Sequence, residues 1–386
     1  MTDRLYYRDS YLTEFQAHVV DSSADRKTVY LDRTAFYPTS GGQPFDLGTL
    51  GGVPVTDISD EESRVAHVLS APLFAVDVVG RINWERRFDH MQQHTGQHLL
   101  SAVFEEVLKA PTISFHLGAD SATIDLGIPA LEPHQVQRIE QRANQIVFEN
   151  RPVQISFQER SEVIALRKPS EREGVLRVIS IDGLDRSACG GTHVRATGEI
   201  GPIMIRKLDR VRGNVRIEFL CGMRAVERAR ADYEALAQIA RTYSAPLDQT
   251  PSLVLAQAEK LQEVDKVRKR LSAELASAKG RELYSQTTAN SEGLRKLLRR
   301  VPAISDDQRI EAQSFCSGEK AVMLVLAEDP PSGLLATSQD SGCNAGAWLK
   351  AALSKIGGRG GGSATTAQGS VPSKEALDLL AHEFQH

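Results

Sequence analysis

Cysteine is scarce in this 386-residue chain: four residues, Cys189, Cys221, Cys316 and Cys343, stand far apart. That spacing excludes a small secreted domain stapled by disulfides, and reduced thiols available as metal ligands are expected instead. No apolar run reaches eighteen residues, so no membrane-spanning helix is expected. Met1-Thr2-Asp3-Arg4 lacks the basic-then-apolar layout of a secretory leader, which makes a cytoplasmic location the expectation. Charge of one sign is lacking too. The net value is −4, so affinity for nucleic acid has to come from local patches. What remains is 41% hydrophobic and 25% charged, a soluble globular composition long enough for two or three cores.

Periodicity divides the chain into four stretches and an α+β fold. Residues 1–88 carry short β-rich runs, Ala17–Val20, Thr28–Leu31 and Ala75–Val79, separated by turn residues and the pairs Gly41-Gly42 and Gly51-Gly52. Short strands with frequent turns predict a small β-barrel. From Asp89 the period becomes helical, with a stop near Ala110-Pro111, and a second helix is expected from Pro133 to about Asn150. Strand-like Val153–Phe157, Val175–Ile179 and Val215–Phe219 complete an α+β domain over 89–222. A helical spacer over 223–300 places Val254, Leu261 and Leu275 at one heptad position and Val264, Leu271 and Ala278 at the other, interrupted by Arg268 and Gln257. Such a seam makes a helical hairpin or a homodimer contact, through this or the C-terminal region. Residues 301–386 read as an α/β module: a buried strand Ala321–Ala327, a helix Ala345–Leu353, a glycine-rich loop, and a last helix from about Ser373.

The sharpest local pattern is His94-Thr-Gly-Gln-His98. Residues four apart share a helix face, so both imidazoles reach one metal ion. Thr95 stands where a zinc protease carries its general-base glutamate, which argues against that class. Cys189-Gly-Gly-Thr-His193 offers a thiolate and an imidazole on a turn that its glycines allow. Together the two segments make a His₃Cys set for one zinc ion per chain. Four protein ligands close a tetrahedron, whereas hydrolytic zinc keeps a position open. Either a ligand is displaced, the coordination expands, or zinc organises the pocket. In Leu31–Gln43 a glycine pair allows close backbone approach to a ligand, and Thr34 and Ser40 add hydroxyls. Ile113-Ser-Phe-His116-Leu-Gly118 follows the zinc helix closely enough to line the same pocket. Five basic residues, Arg206, Lys207, Arg210, Arg212 and Arg216, stand against Asp209 alone, and basic residues also outnumber acidic ones from Lys260 to Arg300. Both stretches suit phosphate contacts.

Taken together, TAFYPTSGGQP, HTGQHLL, SFHLG and SACGGTH resemble the editing half of alanyl-tRNA synthetase and its freestanding AlaX-type relatives. Gly357–Gln368 is similar to the glycine-rich motif of the synthetase's C-terminal tRNA-binding module, and this module with the long helical segment matches the long class of AlaX proteins. The resemblance implies zinc at His94, His98, Cys189 and His193. It implies catalytic-pocket roles for Thr34, as reader of a serine hydroxyl, and for His116. Substrate contacts are implied at Ser40, Gly41, Gly42 and Gln43, and RNA contact at Arg359 beside the basic patch. The implied activity is trans-editing: hydrolysis of the ester joining serine, or glycine, to the alanine tRNA. A buried hydroxyl reader rejects the analogue lacking the hydroxyl by about 10⁴-fold, which explains serine but not glycine. Two other readings compete. One is a tRNA-binding protein with purely structural zinc. The other is a phosphoesterase, for which Asp89-His90 is the sole adjacent Asp-His pair.

Overall fold

The computed structural model describes residues 1–163, 166–169 and 173–386. Its contacts divide the chain into two compact units, 1–238 and 239–386.

The first unit opens with β1 (Asp3–Arg4), β2 (Glu14–Ser22), β3 (Thr28–Leu31), β4 (Arg33–Thr34), β5 (Gly48–Leu50), β6 (Val53–Glu61), β7 (Arg64–Leu69) and β8 (Asp77–Ile82). Six of these strands close a barrel in the order β2-β3-β7-β6-β5-β8, while β1 and β4 pair parallel beside it. Alternation sets the core: Phe15 and Ala17 of β2 point inward to Val29, Leu31, Leu50 and Ile58, and Glu14 and Gln16 face outward.

α1 (Trp84–Leu108) starts five residues earlier than the helical period begins in the sequence, because Asn83 caps it by accepting from the Arg86 amide at 3.0 Å. It ends where Lys109 turns left-handed at φ 54. The sequence boundary at 88/89 therefore falls inside α1. A buried ion pair ties this helix to the barrel. Arg87 and Asp46 are both fully buried, and Arg87 also donates to the Ser10 and Ala35 carbonyls at 2.7 and 2.6 Å.

Next come β9 (Thr112–Leu117), β10 (Ala122–Leu126), α2 (Pro133–Phe148), β11 (Val153–Glu159), β12 (Val175–Ile181), β13 (Asp185–Ala188), β14 (Ile203–Val211), β15 (Asn214–Cys221) and α3 (Met223–Tyr243). Two sheets, β14-β15-β10-β9 and β11-β12-β13, accompany α1 and α2. Leu99, Leu100, Val103 and Phe104 of α1 join Ile124, Ile139, Ile179 and Phe219 in one core, which holds the middle of α1 in a fixed position.

The second unit contains α4 (Thr250–Gln286), β16 (Arg295–Val301), α5 (Asp306–Phe315), β17 (Ala321–Glu328), β18 (Pro331–Thr337), α6 (Ala345–Lys355), β19 (Arg359–Gly362), β20 (Thr366–Ser370) and α7 (Lys374–Gln385). The sheet order is β16-β17-β18-β20-β19. β17 is apolar throughout its core because both faces are covered. Leu324 and Leu326 meet α6 and α7, while Met323 and Val325 meet Phe315 and Ala312 of α5. β16 pairs with β17 from Arg295↔Ala321 to Val301↔Ala327, so a boundary at 300/301 falls inside a sheet strand.

The glycine-rich stretch is not a loop. Residues 359–362 form edge strand β19, because their backbone pairs with β20 from Arg359↔Ser370 to Gly362↔Ala367. α4 meets α5 through Ala276, Gly280 and the Ser277–Ser314 hydroxyl pair, leaving heptad residues Leu261, Val264, Leu271 and Leu275 exposed. Among the described residues no helix is long and apolar enough to cross a membrane.

Candidate metal centre

His94 and His98 lie one turn apart on the buried stretch of α1, 1% and 4% exposed. β13 ends at Ala188, and the turn that follows brings Cys189 and His193 onto the same spot. The His193 ring centroid lies 4.4 Å from that of His94 and 4.8 Å from that of His98. Gly191 is required under this ring stack, since a Cβ there would lie 2.1 Å from His94 Cε1. Cys189 Sγ is 3.4 Å from His94 Nε2 and 3.3 Å from His193 Nε2. All four donor atoms fall within 4.8 Å of one another.

This geometry passes a simple test for a metal. Zinc bonds of about 2.3 Å to sulfur and about 2.0–2.1 Å to nitrogen in a tetrahedron put the two ligand atoms about 3.5 Å apart. The sulfur–nitrogen pairs to His94 and His193 stand close to that separation, and the full donor set lies within 4.8 Å. Each imidazole also has its Nδ1 occupied elsewhere, which turns Nε2 toward the centre. His94 Nδ1 donates to Gln43 Oε1 at 2.8 Å, and His98 Nδ1 donates to Asp185 Oδ2 at 3.0 Å. His193 Nδ1 pairs with the Thr95 hydroxyl at 3.2 Å. Such outer partners fix the tautomer and ring plane of a metal-binding histidine. Three imidazoles and a thiolate suit zinc.

Electrostatics favour the thiolate form of Cys189, the form in which cysteine binds a metal. Burial works to raise the Cys189 thiol, but His94 and His193 outweigh it and hold the thiol well below its ordinary value. Burial, joined by the neighbouring His94, lowers His193 to about 3. Burial also opposes charge on His98, yet Asp185 and Cys189 lift it to about 9. Asp185, despite burial, is drawn down to about 2 by His98 and Arg167.

Two cavities flank the cluster and share Tyr7, Gly41, Cys189 and Gly190. One, of about 560 Å³, is lined on the barrel side by Arg4, Tyr37 and Asp60. The other, of about 660 Å³, is lined by Gln97, His98, Phe115 and Arg177.

The remaining sequence candidates distribute unevenly. Gln43 is fully buried, and both ends of its amide are engaged within the protein, by His94 and Thr192. Gly41 lines both cavities. Gly42, at φ +81, admits Phe115: a Cβ at Gly42 would lie 2.8 Å from that ring. Ser40 is half-buried and bridges to Gln43 across this turn. Thr34 is fully buried, with its hydroxyl between His67 Nε2 at 2.9 Å and the Phe36 amide at 3.1 Å, and it lines neither cavity. His116 is exposed and also lines neither. Strand alternation in β9 turns its neighbour Phe115 toward the centre instead, 5.9 Å from the His94 ring. That alternation was readable in the sequence as a reason to prefer Phe115. No local pattern marked Asp185 or Arg177.

Of the basic patch, three members are neutralised. Arg216 makes two bonds to Asp125 across β10 and β15, Lys207 pairs with Asp209 at 2.9 Å, and Arg206 pairs with Asp232. Arg210 and Arg212 are exposed and make no ion pair among the described residues. Arg359 is exposed on β19. Asp89, the acid of the phosphoesterase reading, is paired with Arg224 at 2.5 Å.

The fold and site thus define a class: an α+β protein with a buried His₃Cys centre followed by an α/β module. Comparison with known proteins narrows the class. The family described as "Threonyl and Alanyl tRNA synthetase second additional domain" matches residues 176–218, and the DHHA1 domain matches 306–386. The alanyl-tRNA editing protein AlaX-L of Pyrococcus horikoshii is 31% identical, covering 100% of this chain and 99% of that protein. The alanine–tRNA ligases of Pyrococcus abyssi and Pyrobaculum neutrophilum are 32% and 34% identical over 98% and 95% of this chain, which spans only 43% and 42% of their lengths. The C-Ala domain of Aquifex aeolicus alanyl-tRNA synthetase aligns with 26% of the chain and 96% of that domain, at 19% identity and a TM-score of 0.20, a likeness too slight to bear on the fold. The chain belongs to the alanyl-tRNA editing family of AlaX-L.

Proposed function

We propose that this protein is a trans-editing hydrolase that cleaves serine, and also glycine, from the alanine tRNA. The observation that carries the reading is the buried His₃Cys cluster opening on a cavity, in a chain that aligns with AlaX-L from end to end. Zinc held by His94, His98, Cys189 and His193 supplies a Lewis acid that polarises an ester oxygen or lowers the pKa of a water. Gln43, Asp185 and Thr95 keep the imidazoles aimed. The Gly41-Gly42 turn brings backbone close to the ester, Phe115 forms an apolar wall, and Arg177 sets a positive charge beside Cys189. Water adds to the ester carbonyl, the bond to the terminal ribose oxygen breaks, and serine leaves with its carboxylate while the ribose hydroxyl regains a proton. Thr34, sealed behind His67, braces the loop and does not touch the amino acid. Arg210, Arg212 and Arg359 contribute phosphate contacts.

The complete four-donor set also favours a second reading, a tRNA-binding protein whose zinc is purely structural. Deacylation of seryl-, glycyl- and alanyl-tRNA, all charged on the alanine tRNA, separates the two when run with and without a zinc chelator. Loss of serine with alanine spared, abolished by the chelator, supports the hydrolase. No turnover by zinc-loaded protein supports the binding reading.

A further inference from the structure

The cavity that reaches His98 and Cys189 also carries exposed apolar side chains that the hydrolytic chemistry leaves without a task. β11 and β12 pair with Val153 opposite Ile181, Ile155 opposite Ile179 and Phe157 opposite Arg177. Directly opposed residues share one face of a sheet, and the first two pairs pack in the core that holds α1. Phe157 and Arg177 therefore continue the inward face past the end of the core, where it borders the cavity. Phe157 lines this space and is 50% exposed, and Val175 of β12 lines it at 58%. β9 adds Ile113 at 49%, two residues before Phe115. The Phe115 ring is already engaged with His94, whereas among the described residues no ring contacts Phe157. Lone exposed apolar residues are ordinary, but a group of them lining one cavity marks a surface built to be covered. The exposed Lys168 lines the same cavity.

We infer that this surface is a stacking platform for the terminal adenine of the esterified tRNA. The ring of Phe157 lies against the base, Ile113 and Val175 border it, and Lys168 meets the terminal phosphate. The inference rests on the hydrolase reading above. One ribose separates the scissile ester from its base, so an ester held at the donor cluster puts the base one sugar outward. The wall exposed there is apolar and aromatic. The amino acid does not cover it, because serine, alanine and glycine are too small to span Phe157, Val175 and Ile113 together. A purine is flat and offers a π-face to an aromatic ring, and it is the nearest group of that size to the ester. Stacking of this kind tolerates any base, since every base has such a face. Phe157 therefore fixes the end of the tRNA without reading its sequence, and it serves seryl, glycyl and alanyl esters alike.

The test measures kcat/KM on seryl-tRNA whose terminal nucleotide either carries adenine or lacks its base. Full-length zinc protein is compared with Phe157→Ala, Phe157→Leu and Phe157→Tyr, with zinc content measured in each. Phe157→Ala is expected to lower kcat/KM on the adenine substrate by about 5–150-fold, the equivalent of one aromatic–base stack. Removing the base costs the wild-type protein a similar factor. The two losses overlap, so Phe157→Ala cleaves both substrates at similar rates, because the contact is already gone. Phe157→Tyr keeps a ring and with it the preference for the adenine substrate. Phe157→Leu keeps apolar bulk without a π-face and loses that preference, which separates stacking from support of the fold. Equal cleavage of the two substrates by wild-type protein overturns the platform while leaving the hydrolase intact. So does a wild-type preference in Phe157→Leu, or losses that multiply in Phe157→Ala. A wild-type protein that cleaves neither substrate overturns the hydrolase reading and the platform with it.

Discussion

Replacing Asp185 with asparagine tests whether the second layer around the centre sets its affinity. Asp185 is buried. One oxygen receives His98 Nδ1 at 3.0 Å, and the other receives Arg167 Nε at 2.7 Å. Ser187 donates to the same carboxylate at 3.0 and 3.1 Å. Asparagine fills the same volume but must present an NH₂ to one of these donors, whichever way the amide lies. If it turns the NH₂ toward His98, the imidazole loses the acceptor that orients it. If it turns the NH₂ toward Arg167, a half-buried guanidinium loses a charged partner, a bond worth about 1.5–3 kcal/mol. Outer-layer losses of this kind weaken a metal site by about 10–100-fold, or about 1.4–2.8 kcal/mol. Zinc affinity measured by competition with a chromogenic chelator should therefore fall by that factor in Asp185→Asn, and further in His98→Ala. An unchanged zinc dissociation constant in Asp185→Asn would refute the orienting role.

Three further outcomes follow from the same geometry. Burial depresses His67 and His90 to about 4. The unfolded chain takes up these protons near pH 6.5 and the folded one does not, so stability is intact above that value. It is lost as pH falls toward 4, by about 3 kcal/mol per histidine, and a urea midpoint independent of pH between 7 and 4.5 would contradict this. Arg87→Met strands the Asp46 carboxylate in the interior and is expected to cost about 3–5 kcal/mol in chemical denaturation, where a loss under about 1 kcal/mol would show the pair to be incidental. Combining Arg210→Ala with Arg212→Ala should reduce the slope of log affinity for tRNA against log salt by about 2. Lys207→Ala, whose charge is already spent on Asp209, should change it less, and equal effects would show that intramolecular pairing does not govern the patch.

The four clustered donors were legible because their spacing is local. A separation of four on a helix places His94 and His98 together, and two glycines let Cys189 and His193 turn inward. Their supporting residues were not legible in the same way. Asp185 meets His98 across 87 residues, and Gln43 meets His94 across 51, pairings that only the packing of barrel, helix and hairpin creates. Thr34 and Gln43 looked like ligand contacts since polar residues beside a glycine pair suggest an open loop, yet both hydroxyl and amide are used internally. β9 shows a finer failure: the motif drew attention to His116, while the two-residue repeat of a strand turned Phe115 inward. In α4 the heptads were visible, but the face that meets α5 is a stripe of small residues whose close approach no hydrophobic count reveals.

The two halves of the donor cluster stand 95 residues apart in sequence, from His94 to Cys189. At about 5–20 residues per second, the second half leaves the ribosome about 5–20 s after the first. During that interval two imidazoles on a nascent helix are a weak and unselective metal trap. The thiolate joins them only with the turn that follows β13, the strand that pairs with β12. A metal ion held by all four donors would therefore be gripped only after helix and hairpin have found each other.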